Sequence, residues 1–266
     1  MLTTDYVPGT PNWIDLGAPD VDAAAAFYSA VFGWSFQSAG PEGGGYGFFQ
    51  LDGETVAAAG PCQEESARPA WTAYFHTADA DATAKAVERA GGKVRAAPMD
   101  VFTAGRLAQF TDPTGADFAV WQPGDIQGLE KVMAPNTLCW TELYTTDAAA
   151  AKDFYRSVFL WSYQDMPMGG DMVYSVVSAP RGGTPEDTGQ GGIFQLPKEN
   201  LAAGSTSEWH PYFGVTDCDV TFAAATANGA TVLIPPSNAP GVGRIAMVTD
   251  PFGAPFALIK GDPNMT

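Results

Sequence analysis

The sequence is poor in positive charge. Thirteen Lys and Arg face thirty Asp and Glu in 266 residues, a formal net charge of −17. A surface of that sign repels phosphate backbones and anionic lipid headgroups, so nucleic-acid and membrane-surface partners are not expected. Cysteine is scarce: Cys62, Cys139 and Cys218 are odd in number, far apart and form no CxxC pair. Reduced, buried thiols in a cytoplasmic protein are expected, rather than a disulfide framework or a zinc site. Histidine is scarcer still, with only His76 and His210, and no Ser-His-Asp or Cys-His arrangement can be built around them. No apolar run approaches the ~20 residues that span a bilayer. Residues 1–6 carry no basic charge and no apolar segment follows them, so export is not expected. Glycine clusters such as Gly43-Gly44-Gly45 lack the Lys and the strand–loop–helix setting of a phosphate loop, and no nucleotide cofactor is expected.

What is present is a repeat. Hydrophobic residues make up 45% of the chain, enough for packed cores. The stretch from Trp13 to Phe36, WIDLGAPDVDAAAAFYSAVFGWSF, aligns without a gap on Trp140 to Tyr163, WTELYTTDAAAAKDFYRSVFLWSY, at an offset of 127. A second pair aligns at an offset of 138, matching Tyr74-Phe75 with Tyr212-Phe213, Arg106 with Arg244, and the Asp112-Pro-Thr-Gly115 turn with Asp250-Pro-Phe-Gly253. The eleven extra residues of the second half are expected in 181–189, a Gly/Pro-rich loop within the divergent span 166–192, placed to cover a pocket mouth. Two homologous domains follow, 1–128 and 129–266, joined by a linker at 122–128.

Each half divides again into two units of strand, Asp-capped helix and hairpin-forming strands. Asp20, Asp79, Asp147 and Asp217 are placed to cap helices over 21–32, 80–90, 148–159 and 218–228. Asp-Pro-x-Gly suits a tight turn with glycine in the left-handed region. Four βαβββ modules give an α+β fold with helices on one face of curved mixed sheets.

Asp-x6-Phe-Tyr-x2-Val-Phe-Gly-Trp, followed later by Asp-Pro-x-Gly, resembles the signature of the vicinal oxygen chelate superfamily (glyoxalase, bleomycin resistance protein, extradiol dioxygenase). The resemblance covers nearly the whole chain and recurs in both halves. It implies tandem glyoxalase-like domains, each with a small-molecule cavity. The tandem form is similar to the actinobacterial glyoxalase-like proteins labelled hydroxylases. Metal-dependent members carry His, Gln or Glu seven residues before the helix-capping Asp and seven after the Asp of Asp-Pro-x-Gly. Here those places hold Trp13, Trp140, Thr72, His210, Ala119 and Ala257, and only His210 is a usable donor. No coordinated metal and no other cofactor are therefore expected.

Side-chain alternation supplies an independent reading of the strands. If Ile14, Leu16, Leu143, Phe75 and Val215 face the helices, then Trp13, Asp15, Thr72, Tyr74, Trp140, Glu142, His210 and Tyr212 face the other way. With Trp121 they make an aromatic wall with few polar groups, the usual composition of a small-molecule pocket. Asp15 and Glu142 on such a face need a partner, such as Arg106 or Arg244, or serve as acid–base groups. Three functions remain open. One is metal-independent binding of a small aromatic or hydrophobic molecule. The second is a metal-free lyase, isomerase or hydroxylase-like enzyme using Glu142 and His210. The third is a glyoxalase or dioxygenase with an atypical metal site. The second half, with His210 for Thr72 and Glu142 for Asp15, is expected to hold the more functional cavity, in a monomer or homodimer.

Overall fold

A computed structural model describes residues 1–62, 68–170, 172–180 and 188–262. The first half contributes β1 (Pro11–Ala18), α1 (Val21–Phe32), β2 (Ser35–Ser38), β3 (Gly47–Leu51), β4 (Glu54–Pro61), β5 (Ala70–His76), α2 (Ala80–Arg89), β6 (Lys93–Val101), β7 (Gly105–Thr111) and β8 (Asp117–Pro123). The second contributes β9 (Thr137–Thr145), α3 (Ala148–Phe159), β10 (Ser162–Gly169), β11 (Met172–Ser178), β12 (Gly189–Gln195), a short α4 (Lys198–Ala202), β13 (Glu208–Gly214), α5 (Cys218–Ala227), β14 (Thr231–Ala239), β15 (Gly243–Thr249) and β16 (Pro255–Gly261). None of these helices is long and apolar enough to cross a membrane.

Each half forms one eight-stranded mixed sheet, in the orders β2-β3-β4-β1-β5-β8-β7-β6 and β10-β11-β12-β9-β13-β16-β15-β14. The second order repeats the first, as the sequence repeat requires. Parallel pairs β1–β4, β5–β8, β9–β12 and β13–β16 alternate with antiparallel hairpins. The four Asp residues cap as expected, each accepting from the amide three residues on: Ala23, Ala82, Ala150 and Val220. Gly115 and Gly253 hold φ of 101° and 102° in the two Asp-Pro-x-Gly turns, where a Cβ is disfavoured.

Two sequence expectations need correction. Gln122 and Pro123 belong to β8, so the connection between halves runs from 124 to 136 rather than 122 to 128. The extra residues are not one insert either. Strand registers place Tyr174 on Tyr46, Gly192 on Ala58 and Trp209 on Trp71, so the offset rises in steps from 128 to 134 to 138. Much of 166–192 is regular strand, and the later step contains α4. Residues 181–187 of the expected loop lie outside the described residues.

The compact units cut across the halves. One consists of Met1–Trp13, Ala73–Gly128 and Trp140–His210, the other of Ile14–Thr72, Leu129–Cys139 and Pro211–Thr266. In the first, α2 packs on α3; in the second, α1 packs on α5. The core of the first unit gathers Phe75, Phe110 and Phe118 with Phe154, Tyr155, Phe159, Trp161 and Trp209. At its centre the Tyr155 hydroxyl donates to Asp112 Oδ2 at 3.1 Å and accepts from Trp209 Nε1 at 2.8 Å. The second unit repeats this with Tyr28, which donates to Asp250 Oδ2 at 3.2 Å and accepts from Trp71 Nε1 at 3.0 Å. The Tyr of each Phe-Tyr pair is thus bonded to the Asp of an Asp-Pro-x-Gly turn from the other half.

The thiols are free among the described residues, with Cys218 buried and Cys62 and Cys139 half-buried. Burial pushes the Cys139 thiol up to about 12 and the Cys218 thiol up to about 11, which keeps both protonated and unreactive.

Tyr155→Phe would leave both Asp112 Oδ2 and the Trp209 indole N–H short of a partner in a buried site. Each such loss costs about 1–3 kcal/mol, so a marked fall in the urea midpoint is expected; an unchanged midpoint would contradict the role assigned to this bond. Burial also raises the Asp250 carboxyl above its ordinary value, against the amides of Ala254 and Phe252, which pull it down. The fold therefore holds this proton more tightly than the unfolded chain does. Its contribution favours folding in acid and is lost as pH rises through the folded-state pKa. The stability gap between wild type and Asp250→Asn should be wider in acid than at neutral pH, and urea midpoints across that range measure it.

Candidate functional site

The strands alternate as their sequences predict. Leu143, Phe75 and Trp209 enter the core, so Trp140, Glu142 and Tyr144 of β9 and Glu208 and His210 of β13 lie on the opposite sheet face. These five residues all belong to the first compact unit. Across β12 and β11, Phe194 and Tyr174 are a register pair and Gly192 stands directly opposite Glu142, which puts them on the same face.

Glu142 is the polar centre of this face and is only 7% exposed. The Tyr174 hydroxyl donates to Glu142 Oε2 at 2.6 Å and accepts from Trp140 Nε1 at 2.9 Å. The indole N–H therefore polarises the phenol that binds the carboxylate. Burial first, and the Glu142 charge second, hold the Tyr174 phenol well above its usual range, so it stays a donor. Tyr174 reaches over β12 to make this bond because β12 has no side chain in the way. A Cβ built on Gly192 would stand 2.0 Å from the Tyr174 hydroxyl oxygen.

Rings flank the carboxylate. Tyr144 meets Phe194 edge-on at 6.0 Å and the His210 ring at 5.1 Å, and Tyr174 lies 6.5 Å from Phe194. His210 is 9% exposed, with its Nε2 3.1 Å from Glu208 Oε2. The arrangement offers a carboxylate and an imidazole among rings, suited to holding a flat molecule and accepting its hydrogen bonds.

The first half repeats part of this. The Tyr46 hydroxyl donates to Asp15 Oδ2 at 3.1 Å, the register equivalent of the Tyr174–Glu142 pair. Trp13 and Trp121 stack at 6.5 Å with 23° between planes, and Trp121 Nε1 donates to the Ile126 carbonyl. Tyr74 is buried opposite Ala119, and Thr72 is half-buried. Where the second half has Tyr144, Phe194, Glu208 and His210, the first has Gly17, Gly60, Ala70 and Thr72; where the first has Trp121, the second has Ile259. Trp13, Tyr74, Trp121, Trp140, Glu142 and His210 fall in one compact unit, and Asp15, Thr72 and Tyr212 in the other.

The expected arginine partners of the carboxylates are engaged elsewhere. Arg106 bridges Asp100 at 2.6 Å and Asp81 at 2.9 Å, and Arg244 binds Asp219. Both arginines tie a β-hairpin to the first turn of α2 or α5, while tyrosines serve Asp15 and Glu142. Sequence reasoning missed Tyr46, Tyr174, Tyr144, Phe194, Gly192 and Glu208. The tyrosine repeat was there to find, but at an offset of 128 it slips by one from the gapless register.

The donor set does not fit a metal ion. Indoles, methyl groups and one threonine hydroxyl occupy five of the six places where the superfamily's ligands stand. Among the described residues no three His, Cys, Asp or Glu side chains are grouped to hold one. A shallow depression bordered by Ala23, Phe27, Asn228 and Phe252 in the second unit has no titratable lining and offers no competing anchor.

Residues 10–120 match the family model described as glyoxalase/bleomycin resistance protein/dioxygenase superfamily, and residues 140–259 match a glyoxalase-like domain. The chain is 39% identical to the anthracycline biosynthesis protein DnrV of Streptomyces peucetius, over 97% of this chain and 95% of DnrV. It is 37% identical to CFP32 of Mycobacterium bovis, whose name marks it as a proposed glyoxylase, over 98% of each chain. In fold it is similar to the 2,3-dioxygenase LapB from a Pseudomonas species, with TM-score 0.65, 14% identity and 96% and 93% of the two chains covered.

Gly192→Ala is expected to displace the Tyr174 ring and break its bond to Glu142, with little change to the backbone. Alkaline absorbance titration should then show one of the nine tyrosines ionising at lower pH than in the wild type, because the Glu142 contribution to its raised pKa is lost. A titration curve identical to wild type would mean that Gly192 does not make room for the pair.

Proposed function

Because the chain belongs to the glyoxalase/bleomycin resistance protein/dioxygenase superfamily, we propose that it binds a planar aromatic small molecule without a metal ion, on the second-half face around Glu142. The observation that carries this is the buried Glu142–Tyr174–Trp140 relay set among the rings of Tyr144, Phe194 and His210. A carboxylate desolvated among rings is a strong, oriented acceptor, and the rings supply stacking area. The name of DnrV concerns anthracycline biosynthesis; an anthracycline carries a fused, flat, hydroxylated ring system, the chemistry that such a face suits. The reading treats the protein as cytoplasmic, a monomer or homodimer, with a small molecule as its partner. Of the first-half residues, the Trp13–Trp121 stack in one unit and the Asp15–Tyr46 pair in the other keep separate parts of this arrangement, and each is the weaker binder.

A metal-free enzyme is the second reading, favoured by the 2.6 Å bond between Tyr174 and Glu142. In it Glu142 takes a proton from the bound molecule, Tyr174 holds the carboxylate in place and His210 supplies the complementary acid.

Titration calorimetry with anthracyclinones and simpler fused aromatics tests the proposal. Glu142→Gln and His210→Ala should each weaken binding by about tenfold or more, as loss of a hydrogen bond involving a charged or buried group does. Thr72→Ala should leave it nearly unchanged. A panel without a single binder would remove the proposal, and equal losses at His210 and Thr72 would remove its asymmetry. Turnover in the wild type that Glu142→Gln abolishes, with ligand still bound, would favour the enzyme.

A further inference from the structure

The His210 ring has one nitrogen accounted for and one not. Its Nε2 is 3.1 Å from Glu208 Oε2. An ionised carboxylate only accepts, so Nε2 carries the hydrogen, and in the neutral imidazole Nδ1 is left as a lone-pair acceptor. That Nδ1 is buried and meets no hydrogen-bond partner among the described residues. A buried acceptor in that state is unfavourable, and a suitably placed donor recovers the loss. Glu208 and His210 also occur together in the second half, whereas the equivalent first-half residues are Ala70 and Thr72. A histidine needed only to fill space would not require a carboxylate two residues away on the same strand face.

We propose that Glu208 is a specificity-determining residue of the second-half face. By holding His210, whose ring lies 5.1 Å from that of Tyr144, in the Nε2–H tautomer, it leaves Nδ1 as an acceptor. The face then offers two acceptors, the Glu142 carboxylate and His210 Nδ1, and selects aromatic molecules whose ring hydroxyl donates. It discriminates against the O-methyl ether of the same ring, which brings no hydrogen and strands the acceptor again. The inference rests on the binding reading above.

With only two histidines in the chain, ¹⁵N-labelled histidine gives two ring systems, and two-bond ¹H–¹⁵N correlations read their tautomers directly. His210 is expected in the Nε2–H form in the ligand-free, neutral state. Glu208→Ala should shift it toward a mixture, while Glu208→Gln, which keeps an acceptor oxygen, should retain it. The His76 signals report that each variant is folded. In parallel, 2-naphthol and 2-methoxynaphthalene serve as a matched pair. Wild type and Glu208→Gln should prefer the naphthol by about tenfold, the worth of one recovered hydrogen bond, and Glu208→Ala should lose most of that preference. An Nδ1–H tautomer in the wild type, or equal affinity for the two compounds, overturns the inference and leaves the binding reading standing. If neither compound nor any other fused aromatic binds, the binding reading falls and takes this inference with it.

Discussion

Two buried phenols hold this architecture. Tyr28 and Tyr155 each leave a helix of one half to donate to the aspartate of an Asp-Pro-x-Gly turn in the other, and each accepts from a tryptophan indole. All three groups are expensive to leave unpaired in a core packed with rings. The same aspartates also tie their turns, Asp112 by accepting from Thr114 and Ala116 and Asp250 by accepting from Phe252 and Ala254. One hydrogen bond therefore couples turn geometry, helix position and the pairing of modules from different halves.

That coupling assigns the two faces of every sheet. With Phe75, Phe118, Phe213 and Phe256 committed to the tyrosine clusters, the alternate residues of the same strands carry no packing duty toward the helices. Duplication then left two copies of that opposite face to diverge. Both keep a carboxylate paired with a tyrosine, Asp15 with Tyr46 and Glu142 with Tyr174. The aromatic groups of the two halves differ. The first half places Trp121 against Trp13, and the second puts Tyr144, Phe194 and His210 around a longer and more deeply buried acid.

Tryptophan at the ligand positions changes the chemistry available. Trp140 donates to Tyr174, so a place that holds a metal donor in metal-dependent relatives here strengthens a phenol–carboxylate bond. The carboxylate of Glu142 is thus met by a hydrogen-bond donor from the same face.

Much of this was decided locally and could be read in the chain. Four Asp caps, four helices within a residue of their expected ends, the left-handed turn glycines and the alternation that sets Trp13, Asp15, Trp140, Glu142 and His210 apart from the core-facing residues of their strands all follow from bonds and periods that span a few residues. What depended on strands meeting across loops of unequal length was not legible. Tyr174 finds Glu142 only because β12 lies between them with a glycine at the crossing point. The repeat offset drifts from 127 to 138 along the way, and this hid the equivalence with Tyr46. The arginines proposed as carboxylate partners were drawn instead to the first turns of α2 and α5. Which modules share a compact unit was likewise settled by buried tyrosines seeking aspartates far off in sequence. Local hydrogen bonds and side-chain periodicity specify elements and their faces; register and long-range pairing, which exist only once the sheets have formed, specify the site.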